Sequence, residues 1–232
     1  MMRTQEIFYS IQGEGIYTGI PMVFIRASGC NLIPTHCSYC DTSYAWNPKD
    51  GKEMSIEEIV KEVSKLSPFL KSWVCITGGE PLWQEDELEQ LVRELKQRSY
   101  LLTIETNSSF EPPRWYTLVD SWNADIKCPF SGVCGVSKEI WFKLRQQDQI
   151  KFVVGDVEDL DFARDMLKRH KADNPQILVS PMAGQLVNRK EGKIEEYWNR
   201  EWLVEVAEFC KEMRIRYSLQ IHKLIWRDKK AV

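Results

Sequence analysis

Three cysteines, Cys30, Cys37 and Cys40, fall within eleven residues of the 232-residue chain. Three thiolates offered by one loop can hold a 4Fe–4S cube while leaving its fourth iron free to chelate a small molecule. The same loop contains His36, and a Cys-x2-Cys pair with one further Cys and a His is also a donor set for tetrahedral structural zinc. On the cysteines alone the two metals stand level. The chain carries seven cysteines, an odd number, and its first residues, MMRTQEIFYSIQGEG, lack the apolar run of an export signal. Ligation in a reducing cytoplasm is therefore the expected use of the clustered thiols, rather than a disulfide framework. Cys75, Cys128, Cys134 and Cys210 are scattered, and most of them read as small buried hydrophobes. Cys128 and Cys134 are close enough in sequence to hold open a second site.

Other reactive side chains stand where apolar runs give way to loops: GGEP at 78–81, ETN at 105–107 and DIK at 125–127. Each has a plain alternative. Gly78-Gly79-Glu80-Pro81 alone is a good turn before a helix, since glycine permits unusual dihedrals and proline starts helices. Asp41 and Thr42 suit a loop cap. Arg26 suits a surface ion pair, Lys127 can partner Asp125, and His36 can be an exposed loop histidine.

The elements that must position these residues are legible as short β-rich apolar runs at 22–28, 73–77, 101–106, 121–127, 150–154, 176–180 and 216–221. Between most of them lie helical patterns. One begins at Ser55 with a capping box to Glu58 and continues through Ile56, Ile59, Val60, Val63 and Leu66; others are expected over 85–98, 138–147, 156–170 and 200–213. Pro112 and Pro113 leave room for only a short helix between the third and fourth runs. Alternating strand and helix implies parallel strands joined by right-handed crossovers. The fold class expected is α/β, a shortened, open partial (βα) barrel of about six parallel strands with an added C-terminal strand. One domain is expected over 1–232, with a cluster loop at 29–44, because a single core of this size is ordinary. In such folds reactive groups gather on loops at the C-terminal ends of the strands. The cysteines, GGEP, ETN and DIK all fall at that end.

A formal net charge of −3 with interspersed acids and bases offers no cationic face for a nucleic-acid backbone. No apolar run approaches the length of a membrane span. The expected partners are small molecules, with neither nucleic acid nor membrane among them.

Together with the cysteine loop, GGEP resembles the second-strand motif of the radical S-adenosylmethionine superfamily. FYSIQGEG at 8–15, FIRASGCN at 24–31, CSYCDT at 37–42 and SLQIHK at 218–223 together resemble the 7-carboxy-7-deazaguanine synthase family within it, from the N-terminus to the last run. The resemblance implies a lyase that contracts the ring of 6-carboxy-5,6,7,8-tetrahydropterin with loss of ammonia, in queuosine and deazapurine biosynthesis. It implies a 4Fe–4S cluster on Cys30, Cys37 and Cys40, S-adenosylmethionine, and Mg2+ on Thr42. Gly78, Gly79, Glu80, Asn107, Lys127 and Ser180 are implied for S-adenosylmethionine. Gln12, Glu14, Arg26 and His222 are implied for the substrate, Arg26 because its planar fork pairs bidentately with a carboxylate. An electron donor such as flavodoxin or ferredoxin and a homodimer are implied as partners. Two departures stand out: the spacing is C-x6-C-x2-C where the superfamily usually has C-x3-C-x2-C, and Ser108 follows ETN where the family often has glycine. Two rival readings remain at this point, an activase of the same superfamily that installs a glycyl radical on a partner, and a zinc-stabilised binding module.

Overall fold

Along the central strands apolar and polar side chains alternate, so the sheet has one face that must be covered by helices and another that can line a polar space. The computed structural model describes residues 1–67, 69, 71–170, 176–183, 199–227 and 229–231. Its strands are β1 (Met2–Ile11), β2 (Pro21–Ala27), β3 (Lys52–Met54), β4 (Trp73–Gly78), β5 (Leu101–Thr106), β6 (Ser121–Ile126), β7 (Gln149–Val154), β8 (Gln176–Pro181) and β9 (Arg216–Tyr217). The helices are α1 (Ile56–Leu66), α2 (Glu85–Gln97), α3 (Val157–His170), α4 (Arg200–Met213) and α5 (Ile221–Trp226). Among the described residues the strands form one open sheet in the order β3-β1-β2-β4-β5-β6-β7-β8-β9. From β2 to β9 every neighbour is parallel, while β1 pairs antiparallel with both β2 and β3. No described helix is long and apolar enough to cross a membrane.

The six parallel strands expected between 22 and 180 are present, and the added C-terminal strand follows. That last strand is two residues, not the run 216–221: the chain leaves the sheet after Tyr217 and turns into α5 at Ile221. The helix expected over 138–147 is only a 3-10 turn at Glu139–Lys143. Trp141 is fully buried and donates its indole N–H to the Phe110 carbonyl at 2.7 Å. Arg145 is drawn to Asp148 by backbone and guanidinium bonds of 2.8–3.0 Å. These tertiary anchors override helical spacing. The antiparallel strands β1 and β3 were not foreseen, since a half-buried edge strand with polar residues between its apolar ones gives a weak signal.

Helix α1 begins as its capping box predicts: Ser55 Oγ accepts from Glu58 N at 3.1 Å and Glu58 returns a carboxylate to Ser55 N at 2.7 Å. Its buried face, Ile59, Val60 and Val63, and the α2 face, Leu88, Leu91, Val92 and Leu95, cover Val23, Ile25, Val74, Ile76, Leu102 and Ile104 on the outer side of the sheet. A second apolar cluster joins α3 and α4 to β7 and β8. The inner face carries Arg26, Thr77, Glu105, Asn123, Asp125 and Lys151, held in register by the pairs Arg26 with Thr77, Glu105 with Asn123, and Asp125 with Lys151. Its floor is apolar, closed by Met22, Phe24 and Cys75 with Phe8, Tyr17 and Trp73.

Leu91 has no solvent exposure and sits in the larger cluster. Leu91→Ala is expected to cost about 2–5 kcal/mol, read in urea as a lower unfolding midpoint at an unchanged slope.

Candidate functional site

The loops that leave the C-terminal ends of the parallel strands enclose a cavity of about 420 Å³. Cys30, Cys37 and Cys40 share one wall with His36, Tyr39, Thr42 and Trp46. Cys30 follows β2 and is buried against Leu32 and Val133, with Cys37, Trp46 and Val136 beside them. Burial pushes the Cys30 thiol up to about 11, and the nearby Glu80, Cys37 and Cys40 add to that. Cys37 is also raised by burial, although Lys127 opposes the shift. Buried together with little positive charge, such thiols ionise when a metal centre takes the place of the proton. No three His, Cys, Asp or Glu among the described residues gather around one ion-sized point. A mononuclear zinc site needs all its sulfurs about 2.3 Å from one ion, whereas a cube spreads three thiolates over three irons. Three thiols lining one cavity supply the ligand set of a cube with one open iron.

The GGEP turn is held against this wall. Gly78 has φ +137°, and a Cβ there would lie 2.2 Å from the Ala27 carbonyl oxygen; one on Gly79 would lie 2.0 Å from that of Gly29. Only glycine lets β4 run this close to the cysteine loop. The two glycines line the cavity, whereas Glu80 does not: it is fully buried behind them. Its carboxylate accepts from Leu82 N at 3.0 Å, Thr106 Oγ1 at 2.9 Å and Asn107 N at 2.7 Å, and its own N–H donates to the Gly29 carbonyl at 2.8 Å. Burial pushes its pKa up to about 7 against those bonds. Sequence reasoning brought Glu80 to the cofactor; the structure puts it between loops.

Asn107 lines the cavity, with its side chain donating to Asn31 Oδ1 at 3.0 Å and accepting from Ser109. Ser108 takes the glycine-like φ of +64° after ETN. Lys127 faces the cavity, paired with Asp125 at 2.6 Å. Burial works against its ammonium, yet Asp125 raises the pKa well above the usual lysine value. Ser180 is fully buried, its hydroxyl without a partner, and it is not part of the cavity wall. Thr42 lines the cavity and donates to Asp41 Oδ1 at 2.8 Å. His36 is no exposed loop histidine: its ring stacks on Trp46 at 3.7 Å and its Nε2 is buried without a partner. Cys128 is buried and Cys134 is exposed, so the two do not share an environment.

The same cavity is lined by Gln12, Glu14, Arg26 and His222. Arg26 Nε donates to Glu6 Oε1 at 2.7 Å, Tyr44 donates to the same oxygen at 2.7 Å, and the guanidinium lies over the Phe8 and Tyr44 rings. Fixed from behind at Nε, the guanidinium keeps its terminal nitrogens for the cavity, apart from a long contact of 3.5 Å to Thr42. Gln12 donates to Glu105 at 3.2 Å. Glu14 accepts from Lys151 at 2.5 Å and from Gln220 at 2.7 Å, with His222 at 3.9 Å. Burial alone would raise Glu14; Lys151, His222 and these bonds outweigh it and hold the carboxyl down to about 2.

Sequence reasoning missed Glu6, Tyr44, Glu105, Asn123, Lys151, Gln220 and Lys223. The signal for several was present: a polar residue at every second position of TIE (103–105), NAD (123–125) and QIK (149–151), inside otherwise apolar strands, marks the inward face.

An open parallel sheet with a three-cysteine loop and a double-glycine turn at one mouth defines a radical S-adenosylmethionine enzyme, and the profile of the Radical SAM superfamily matches residues 24–120. Enzymes of this class use a 4Fe–4S cluster and S-adenosylmethionine. A 7-carboxy-7-deazaguanine synthase from Koribacter versatilis (strain Ellin345) is 36% identical over 236 residues, spanning 97% of each chain. The enzyme of that name from Thermoplasma acidophilum is 33% identical over the full length of both. The chain belongs to the 7-carboxy-7-deazaguanine synthase family. The crystal structure of QueE from Escherichia coli shares the fold, with a TM-score of 0.72 at 23% identity, covering 94% of this chain and 93% of that one.

Two outcomes test this geometry. Glu80→Ala strands three buried donors, each worth roughly 1–3 kcal/mol, so it is expected to lower the urea midpoint of the metal-free protein markedly; an unchanged midpoint would contradict its structural part. Glu14, with a folded pKa near 2 against an ordinary 4.5, contributes stability that is complete above pH 4.5 and is lost as pH falls toward 2. Glu14→Gln is expected to flatten that acid limb in unfolding midpoints measured across the same range.

Proposed function

We propose that this chain converts 6-carboxy-5,6,7,8-tetrahydropterin to 7-carboxy-7-deazaguanine and ammonia, supplying deazapurine and queuosine synthesis. Product and ammonia account for every atom of the substrate, so no net oxidant is consumed. The observation that carries the reading is the pairing, within one cavity, of a thiol wall with an arginine fork anchored from behind by Glu6. When bound on Cys30, Cys37 and Cys40, the cluster, with S-adenosylmethionine, supplies the radical that takes a hydrogen atom from the substrate.

Arg26 holds the substrate carboxylate through its terminal nitrogens, a bidentate match that lysine lacks. Gln12, Glu14 and His222 meet the donors and acceptors of the pterin edge. Glu14 stays ionised beside Lys151 and offers acceptors only. The backbone of Gly78 and Gly79, with Asn107 and Lys127, holds the amino-acid and ribose portions of the cofactor. We assign no cofactor contact to Glu80, which spends its oxygens on Leu82, Thr106 and Asn107, nor to Ser180, which is buried and not among the residues that line the cavity. Thr42 supports Mg2+ through its hydroxyl, since a hard cation that keeps most of its waters needs few protein oxygens.

In this reading the chain works in the cytoplasm, where thiols stay reduced, takes electrons from a flavodoxin or ferredoxin, and pairs as a homodimer, the commonest closed assembly. The glycyl-radical activase is not favoured, because relatives matched along the full chain carry the synthase name.

Anaerobic reconstitution followed by incubation with S-adenosylmethionine, reductant, Mg2+ and the carboxylated pterin is expected to give 7-carboxy-7-deazaguanine by mass. Absence of both that product and deoxyadenosine, with an intact cluster, would reject the assignment. Arg26→Ala is expected to lower kcat/KM for the pterin by about 10–100-fold, the loss of charge-assisted bonds worth roughly 1.5–3 kcal/mol. Substrate-free deoxyadenosine formation should fall far less; equal losses in both would exclude the carboxylate role.

A further inference from the structure

We propose that Trp46 tunes the reduction potential of the cluster by donating its indole N–H to the sulfur of Cys40, and that His36 in the lengthened cysteine loop braces it there. The inference rests on the reading above that Cys40 is a cluster ligand. Trp46 Nε1 stands 3.1 Å from Cys40 Sγ. An indole can only donate, so the sulfur is the acceptor whatever its protonation, and a thiolate accepts better than a thiol. The same residue reaches the other end of the loop, where its backbone carbonyl accepts from Cys30 N at 3.0 Å. One residue thus touches the first and the third cysteine.

The indole ring has two packing partners. Cys30, Leu32 and Val133 form the apolar cluster against which it packs. The imidazole of His36 lies over it at 3.7 Å between centroids, with the planes 11° apart. His36 is the last of the six residues between Cys30 and Cys37, so the extra length of this loop delivers a ring to the indole. A donor held in this way cannot swing off the sulfur without breaking the stack.

Reduction adds one electron to the cluster and makes or breaks no bond. The added negative charge is shared by the ligand sulfurs, and a fixed N–H dipole in a partly desolvated wall stabilises the more negative state. Hydrogen bonds to sulfur are one of the levers that set such potentials. Trp46 is then a positioning and tuning residue that makes the cluster easier to reduce, and it touches no reacting atom of the substrate.

The test is a dithionite-based redox titration of reconstituted wild type and Trp46→Phe, followed by electron paramagnetic resonance without pterin. Phenylalanine keeps a six-membered ring for His36 and removes the N–H together with the five-membered ring that carries it. At a fixed potential the ratio of reduced to oxidised cluster is expected to fall about tenfold, a downward shift of 59 mV for one electron, with iron and sulfide content unchanged. An unchanged midpoint in a fully loaded Trp46→Phe protein would overturn the proposal. If that variant fails to load, wild type grown with 15N-tryptophan decides: pulsed resonance of the reduced cluster should show coupling to an indole nitrogen, and its absence overturns the proposal equally. Both readouts are taken without substrate, so failure to make the deazaguanine leaves them standing and is read separately.

Discussion

Glu80 joins three loops that belong to three different strands. Its N–H bonds the Gly29 carbonyl of the cysteine loop, and its carboxylate takes the N–H of Leu82 beyond β4 together with Thr106 and Asn107 at the end of β5. Asn107 extends the tie to Asn31, and Asn31 to Ser109. A carboxylate with no exposure to water costs free energy unless its oxygens are filled. That cost makes the arrangement specific: any shift of one loop leaves a buried charge or donor unpaired. The close approach of Gly79 to Gly29 depends on this knot, and the placement of the thiol wall depends on that approach.

The remaining buried charges of the cavity follow the same logic. Arg26 is set against Glu6, Lys127 against Asp125, and Lys151 against Glu14. Buried pairs of this kind contribute little net stability, because desolvation offsets their attraction, but breaking one is costly. They fix side chains in place while leaving particular atoms free: the terminal nitrogens of Arg26, and Asp125 Oδ1, which is buried without a partner. A polar ligand that enters meets groups already oriented, so little binding energy is lost to ordering them.

Much of this was legible in the residues. The parallel strands, α1 with its cap and the gathering of cysteines, GGEP, ETN and DIK at one mouth follow from periodicity and from the rule that loops at strand ends carry chemistry. Glu80 was legible as a motif but not as a structural tie, since two of the three partners that consume its oxygens lie 26 and 27 residues away. Lys151 was hidden for a related reason: its meaning comes from Glu14, 137 residues distant, and from lying beside Asp125 across two parallel strands. The 138–147 segment has helical spacing that partners outside it override, Phe110 through Trp141 and Asp148 through Arg145. Local pattern reports local preference, and each of these outcomes was decided by a distant partner.

The C-terminal helix shows how such distant partners close the site. Ile221 N bonds the Gly13 carbonyl, Gln220 bonds Glu14 across 206 residues, and Lys223 pairs with Asp41 beside the cysteine loop. Gly13 has no side chain because the His222 ring occupies that space; a Cβ there would lie 2.0 Å from its Nδ1. The IQGEG and QIHK strings therefore belong together for a steric and an electrostatic reason. Helix α5 bridges the first loop of the chain to the cysteine loop, and it brings His222 and Lys223 into the cavity lining. A chain cut before Gln220 would lose His222, Lys223 and the Gln220 bond that helps hold Glu14 ionised, so the two ends of the sequence form one functional unit.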